Sequence, residues 1–330
     1  MAARGKSILA VLAAAGCLLA PAGSAAGQPA ARSAPDEDRA RGYWTPERMA
    51  AAEPLEVAAF RDDSSVPPED GTVASRGRAS IRTGSLPPSL PEATAAGTLR
   101  RPRINSGEVR AQRRYPQRAN GKLFFSQGRR DYVCSGVVAQ SRSDGVILTA
   151  GHCVFWRGRW SKRVLFVPAY HRGSKPFGAY RGAAAGVPRL WWRSHNLNFD
   201  YGAIKLRRSH GRRVGDVTGE IGVRWGYPRD QSYSVVGYPV NYANGQRMWS
   251  CRSRFRRRDG KRWDGPASSG VGCRMRNGSS GGGWTFQTGP HDRPYVGSVT
   301  SHYYRRLPGL LFGPFFDRRV AELLRFVNRR

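Results

Sequence analysis

The stretch DYVCSGVVAQSRSDGVILTAGHC, residues 131–153, holds two short runs rich in Val, Ile and Leu separated by the polar insert QSRSD and Gly145. Each run is too short for a stable helix, and β-branched residues dominate both. Such a pair reads as two antiparallel strands joined by a turn. The same texture extends outward on either side. GKLFFSQ (121–127), RVLFVPAY (163–170) and DYGAIKLR (200–207) are further short apolar or alternating runs. After a spacer near 208–230 the pattern returns as QSYSVVGYP, RMWSCRSRF, WTFQT, PYVGSVTSHYY and PGLLFGP. The count predicts an all-β fold of two packed antiparallel barrels, about six strands each, within roughly 210 residues. The final segment FFDRRVAELLRFVNRR places Phe316, Val320, Leu323, Leu324 and Val327 on one helical face, so the chain is expected to close with an amphipathic helix.

The N-terminal third has another character. Arg4 and Lys6 precede the apolar run ILAVLAAAGCLLA (8–20), followed by Pro21 and the small residues Ser24-Ala25-Ala26, the pattern of a secretory signal peptide over residues 1–26. Cys17 offers a competing lipid-anchor reading, but the bulky aliphatic residue expected three positions earlier is missing. No later apolar stretch has the length of a membrane span. Residues 27–115 are rich in Ala, Pro, Arg, Ser and acidic residues, with little sustained apolar periodicity, and read as a disordered linker or pro-segment. The folded domain is placed at 116–330.

The 330 residues carry 55 Lys and Arg against 23 Asp and Glu, a net charge of +32. That charge is spread along the chain, which suits adhesion to an anionic cell-envelope surface or an acidic partner. No recognisable nucleic-acid motif accompanies it, so no specific nucleic-acid partner is expected. Removing the leader leaves Cys134, Cys153, Cys251 and Cys273 for an oxidising compartment. Four cysteines allow three pairings; the nearest-neighbour one, Cys134 with Cys153 and Cys251 with Cys273, closes two short loops.

Three local features suggest chemistry when taken together. LTAGHCV (148–154) presents His152 just past an apolar strand; NFDYGAIKL (198–206) places Asp200 at the start of another; GSSGGGW (278–284) surrounds Ser280 with glycines between two strand-like segments. Acyl transfer by serine needs such a nucleophile, a base, a carboxylate to orient the base, and backbone donors for the oxyanion.

On these motifs, residues 119–330 resemble the chymotrypsin-like (trypsin-like) serine peptidases, in which His, Asp and Ser follow in this order and the His lies in TAGHC. CSGVVAQ, DYGAIKL, GYP and the Cys seven residues before Ser280 are most similar to secreted bacterial peptidases related to the glutamyl endopeptidases. The resemblance implies a secreted, extracellular serine endopeptidase, a hydrolase made as a zymogen, acting on protein or peptide substrates without cofactor or metal. It implies His152 as general base, Asp200 as its orienter, Ser280 as nucleophile, and the Gly278 and Ser280 amides as the oxyanion hole. It also implies a specificity wall from GSVTSH (297–302), with Thr300 and His302 contributing, and Arg274 as a cation suited to an acidic P1 side chain.

Departures from the family pattern accompany the match. Gly283 stands where Pro is usual, Arg276 and Asn277 replace small or hydroxyl residues, and Ser279 replaces the Asp that receives a new N-terminus in trypsin-type zymogens. Pro-segment removal, near Arg113-Arg114, is then expected to act by uncovering the cleft. The alternative is a catalytically silent homologue, an extracellular binding module for anionic partners.

Overall fold

The computed structural model describes residues 29–33, 42–55, 84–86, 106–260, 263–289 and 292–330. The first unit contains β1 (Asn120–Gln127), β2 (Arg130–Ala139), β3 (Val146–Thr149), β4 (Lys162–Pro168), β5 (Tyr180–Val187) and β6 (Gly202–Leu206). These pair antiparallel in the order β4-β1-β2-β3-β6-β5, and β5 returns to β4, so the sheet closes into a barrel and has no free edge. Residues 131–153 form the β2–β3 hairpin, with Val137 opposite Leu148 and Val138 opposite Ile147. Alternate residues of β1 serve two cores. Leu123 and Phe125 join the large apolar cluster that also holds Ile147, Leu148 and Ile204, while Phe124 packs with Val133, Leu165 and Tyr170.

The second unit is a sheet of β7 (Gly222–Trp225), β8 (Ser232–Gly237), β9 (Trp249–Arg258), β10 (Ser269–Gly272), β11 (Gly283–Phe286), β12 (Tyr295–Val299) and β13 (Leu310–Gly313). Its order is β13-β10-β9-β8-β11-β12-β7, antiparallel except for the β7–β12 contact. Tyr233, Val235, Val271, Trp284, Phe286 and Leu311 form its core. The C-terminal helix, Arg319–Asn328, buries Val320, Leu323, Leu324 and Val327, with Phe316 buried just before it. It lies against β5 at Gly186, where a Cβ would come within 2.8 Å of Val327.

Both nearest-neighbour disulfides are present, Cys134–Cys153 and Cys251–Cys273. The first ties β2 to the loop after β3, and the second ties β9 to the loop after β10. Each loop leads into a segment that carries a candidate catalytic residue. With its cysteines 19 positions apart, loss of the first bridge in a Cys134→Ser, Cys153→Ser chain is expected to cost about 3 kcal/mol. Urea denaturation of the two chains checks this, and an unchanged midpoint contradicts it.

The signal-like leader, 1–26, lies outside the described residues. Residues 27–115 depart from the expectation of disorder wherever they are described. Ala30–Ser33 adds to β5, Gly84–Leu86 to β7 and Gly107–Glu108 to β9. Between them, Thr45 caps a short helix, Pro46–Ala51, and Glu53–Pro54 runs parallel to β2. Trp44, Met49 and Leu55 are buried. A few isolated large apolar residues among Ala, Pro and charged ones give no periodicity to read, yet each is buried where the barrel offers a complementary surface.

Candidate functional site

His152 follows β3 in the turn Ala150–Cys153, held by the bond from Cys153 N–H to Ala150 C=O and by the disulfide to β2. Gly151 is obligatory because a Cβ there would meet the Trp191 ring at 2.8 Å. Asp200 stands at the end of a short helical turn, Leu197–Phe199, that Asn196 caps. The neighbouring Asn198 side chain bridges to the second unit, donating to Trp263 and Asp264 carbonyls and accepting from Ser268 N–H. The turn is thereby pinned to both units.

The two residues meet with no solvent between them. His152 and Asp200 are fully buried; one carboxylate oxygen accepts the His152 backbone N–H at 2.8 Å, and the other faces Nδ1 at 2.8 Å. Ser301 Oγ donates to the second oxygen at 2.6 Å. Burial alone would push the Asp200 carboxyl up, but the adjacent His152 and these three hydrogen bonds together hold it below the usual carboxylate range. The far ring nitrogen, His152 Nε2, is buried and has no hydrogen-bond partner among the described residues.

Ser280 lies in the turn between β10 and β11. Gly278 and Gly281 have φ of +89° and +80°, a region that L side chains rarely enter, and a Cβ on Gly282 would sit 1.9 Å from the Val236 carbonyl. The run of glycines is therefore a constrained turn and not a linker. It is held from both sides: Ser135 Oγ donates to Gly278 C=O, Ser135 N–H to Ser280 C=O, and Gly281 N–H to Thr300 C=O. Ser279, Gly281 and Gly282 give their amides to backbone carbonyls, whereas those of Gly278 and Ser280 go to no acceptor among the described residues. Ser279 is buried and its hydroxyl caps Arg276 C=O, so it steadies the turn. Ser280 itself is half-buried. It neighbours the histidine through the disulfide, since a His152 ring nitrogen lies within 4.8 Å of Cys153 Sγ, and that sulfur is 4.0 Å from Ser280 C=O.

Beyond Asp200 the polar chain continues. Ser301 Oγ is 2.9 Å from His302 Nδ1, His302 Nε2 is 3.0 Å from Asp259, and Tyr304 donates to the same carboxylate at 3.1 Å. Ser301 has one proton and Asp200 can only accept it, so Ser301 receives a hydrogen bond from His302 Nδ1–H. Nε2 faces the Asp259 carboxylate. Both ring nitrogens of His302 are engaged inside the protein.

This changes the specificity wall expected from the sequence. Thr300, Ser301 and His302 do line a cavity beside Ser280, together with Arg276, Asn277 and Tyr303. Thr300 is buried and accepts from Trp284 Nε1 at 2.9 Å. His302 has both ring nitrogens committed to Ser301 and Asp259 and turns neither toward a substrate carboxylate. Arg274 is exposed and does not line the cavity. Its backbone carbonyl accepts from the Asn241 side chain, and the residue itself is exposed. The cation at the cavity is Arg276, half-buried over the Tyr303 ring at 4.6 Å and donating to Met275 C=O. Ser301 and Asp259 carried no distinctive signal in the sequence, because their partners come from distant strands, and Arg276 stood out there only as a departure from the family pattern.

No protein-family model matches the sequence. Among curated proteins it is similar to an extracellular metalloprotease of Bacillus subtilis, 32% identical over 165 residues, 49% of this chain and 50% of that protein. It is similar also to a glutamyl endopeptidase of Bacillus licheniformis, 30% identical over 129 residues, 36% of this chain and 38% of that protein. The chain thus spans half or less of the length of these curated relatives. The metal in the first name meets no suitable donor set among the described residues. The one close grouping is Cys134, His152 and Cys153, whose sulfurs are bonded to each other and whose imidazole Nδ1 faces Asp200.

Solved structures cover the folded part more fully. A thermostable serine protease, AL20, from an extremophilic microorganism matches with a TM-score of 0.57 and 29% identity over 64% of this chain and 97% of that one. The protease Anisep of Arthrobacter nicotinovorans gives 0.57 and 28% over 64% and 96%. A Glu endopeptidase shares the fold at a TM-score of 0.55 and 16% identity, over 69% and 98%. With a serine protease and a second protease matched along nearly their whole solved lengths and a glutamyl endopeptidase among its sequence relatives, the chain is similar to the chymotrypsin-like serine peptidases related to the glutamyl endopeptidases.

Proposed function

We propose that the chain is an extracellular serine endopeptidase that hydrolyses peptide bonds through an acyl-enzyme, with His152, Asp200 and Ser280 as its triad. The observation that carries this reading is His152 itself. Its Nδ1 is locked on Asp200, while its Nε2 is buried without a hydrogen-bond partner among the described residues, and the ring lies within 4.8 Å of the Cys153 sulfur that neighbours Ser280 C=O. An unpaired buried nitrogen is costly unless it has work to do. In the reaction Nε2 takes the Ser280 hydroxyl proton as Oγ attacks the substrate carbonyl, and the Gly278 and Ser280 amides receive the oxyanion. The imidazolium then gives the proton to the leaving amine, and water repeats the sequence on the ester.

The two disulfides and the extracellular relative support a place outside the cell, consistent with the leader-like residues 1–26. Protein or peptide substrates follow from the chemistry. The charge of +32 supports attachment to an anionic envelope surface, and among the described residues no helix is long and apolar enough to cross a membrane. A fluorophosphonate probe tests the reading: a covalent adduct on Ser280, lost in Ser280→Ala, is expected. A chain that neither reacts nor cleaves peptides in any form is a silent homologue.

The cation at the cavity also gives a specificity test. Arg276→Ala is expected to lower kcat/KM for a substrate with Glu at P1 about ten-fold more than for one with Leu, the worth of a charged hydrogen bond. Arg274→Ala should treat both substrates alike. Equal losses for Glu and Leu in Arg276→Ala contradict an acidic preference set by Arg276.

A further inference from the structure

Lys122 stands inside β1 and is 2% exposed, a cation in an apolar setting that only a specific partner makes tolerable. Its Nζ donates to Gly245 C=O at 2.9 Å and lies 5.0 Å from the Tyr170 ring centroid and 5.1 Å from that of Phe124. No carboxylate pairs with it among the described residues, and its cross-strand partners, Ser135 and Val167, carry no charge. The titratable neighbours are phenols. Tyr170 and, behind it, Tyr238, which donates to Tyr170 C=O, are both held up by burial. In the flanking segments Arg172 is exposed and Arg247 pairs with Glu108. Burial alone pushes the Lys122 ammonium down, to about 8.

Gly245 belongs to the loop after β8, residues 238–246, which grips the segment leading into Ser280. Tyr238 N–H donates to Ser135 Oγ, whose own proton goes to Gly278 C=O. Val240 N–H donates to Asn277 C=O at 2.8 Å, and Asn241 accepts from Arg276 N–H at 2.9 Å. The Val240 bond bears directly on the chemistry. Asn277 C=O and Gly278 N–H belong to one planar peptide and point opposite ways, so fixing the carbonyl fixes the amide. Packing adds to this, since a Cβ on Gly278 would come within 2.6 Å of Tyr238 C=O and 3.3 Å of Val240. Gly245 N–H closes back on Pro239 C=O at 3.1 Å. A hold on Gly245 is therefore a hold on the residue before Val240.

We propose that Lys122 is a positioning residue for the oxyanion hole: by holding Gly245 C=O it sets the loop whose Val240 amide orients the Asn277–Gly278 peptide, and with it the Gly278 N–H. The inference rests on the peptidase reading of Ser280 and adds what keeps one of its two oxyanion donors in place. Ser279 offers no carboxylate to a new N-terminus. A cation built into the first barrel orders the turn from the other side.

The test compares the full chain with Lys122→Met, which keeps the length of the side chain and loses the ammonium. Measured are kcat and KM on a peptide amide, and the affinity for a peptide aldehyde, which adds to Ser280 and places an oxyanion in the hole. Thermal melting confirms that the variant is folded, and Lys122→Gln replaces it if it is not. A misdirected donor should cost less than the roughly 10²–10³ of a deleted one, so kcat is expected to fall about ten-fold or more with KM within about two-fold. Aldehyde affinity should fall by the same factor as kcat/KM. In the parent chain kcat should also decline as pH rises through about 8, where the ammonium loses its proton, and the variant should lack that decline. Parent-like kcat and aldehyde affinity in the variant, a loss confined to KM, or an alkaline decline of the same depth in both chains overturns the proposal and leaves the peptidase reading standing. A parent chain that neither hydrolyses peptides nor binds the aldehyde fails that reading, and the proposal with it.

Discussion

Ser280→Ala is expected to lower peptide hydrolysis by about a million-fold while leaving the fold intact. The size follows from the triad acting as a unit: without Oγ no acyl-enzyme forms, and His152 has no proton to move. What remains is the catalysis that binding and the two free amides of Gly278 and Ser280 supply. The fold should be indifferent for a separate reason. The turn is held by backbone bonds from Ser135 and to Thr300 and by the strained glycines, and the Ser280 hydroxyl makes no hydrogen bond to the described residues. Steady-state hydrolysis and a thermal melt on the same pure sample decide it. Turnover within ten-fold of the parent chain, once contaminating protease is excluded, removes Ser280 as nucleophile.

Asp200→Asn should cost about ten thousand-fold in kcat with little change in KM. Asp200 accepts three hydrogen bonds, from the His152 backbone, His152 Nδ1 and the Ser301 hydroxyl. An amide offers only one accepting atom, and its NH2 must point at one of those donors. If it faces Nδ1, that nitrogen has to accept, which moves the ring proton to Nε2 and removes the base. The carboxyl of Asp200 sits below its usual range when folded, so its contribution to stability is full above about pH 4, the unfolded value. That contribution is lost as pH falls through the lower folded value. The stability gap between the parent chain and Asp200→Asn should therefore be widest near neutrality and narrow progressively below about pH 4. Melting curves of both chains from neutral to strongly acid buffer check this. A gap that stays constant or grows in acid contradicts an ionised, hydrogen-bonded Asp200.

Much of this site was legible before any coordinates because its signals are local. A histidine after an apolar strand in TAGHC, an aspartate at the head of DYGAIKL and a serine among glycines are each short-range patterns, and their chain order ties them together. The disulfides were legible by the same token, since each joins cysteines that are near neighbours in sequence. The hairpin at 131–153 and the apolar face of the last helix depend only on alternation and helical period, which neighbouring residues display on their own.

Contacts that join distant segments were not legible. Arg274 and Arg276 are indistinguishable in sequence, yet one reaches solvent and the other the cavity, because side-chain direction is set by the turn that Asn241 and Tyr303 hold from elsewhere in the chain. His302 reads as a ligand for substrate until Asp259 and Ser301 are seen to take both of its nitrogens. Trp44, Met49 and Leu55 are three isolated apolar residues in a polar segment, and such residues have no periodicity to announce burial. Their partners, Phe124, Val133 and the wall beside Ser280, come together only when the barrel closes. Sequence by itself determined which strands form and which residues are the candidates for the chemistry, because those choices rest on patterns among neighbours. Only the tertiary structure decided what surrounds Ser280, because a cavity is made by residues that share no stretch of chain.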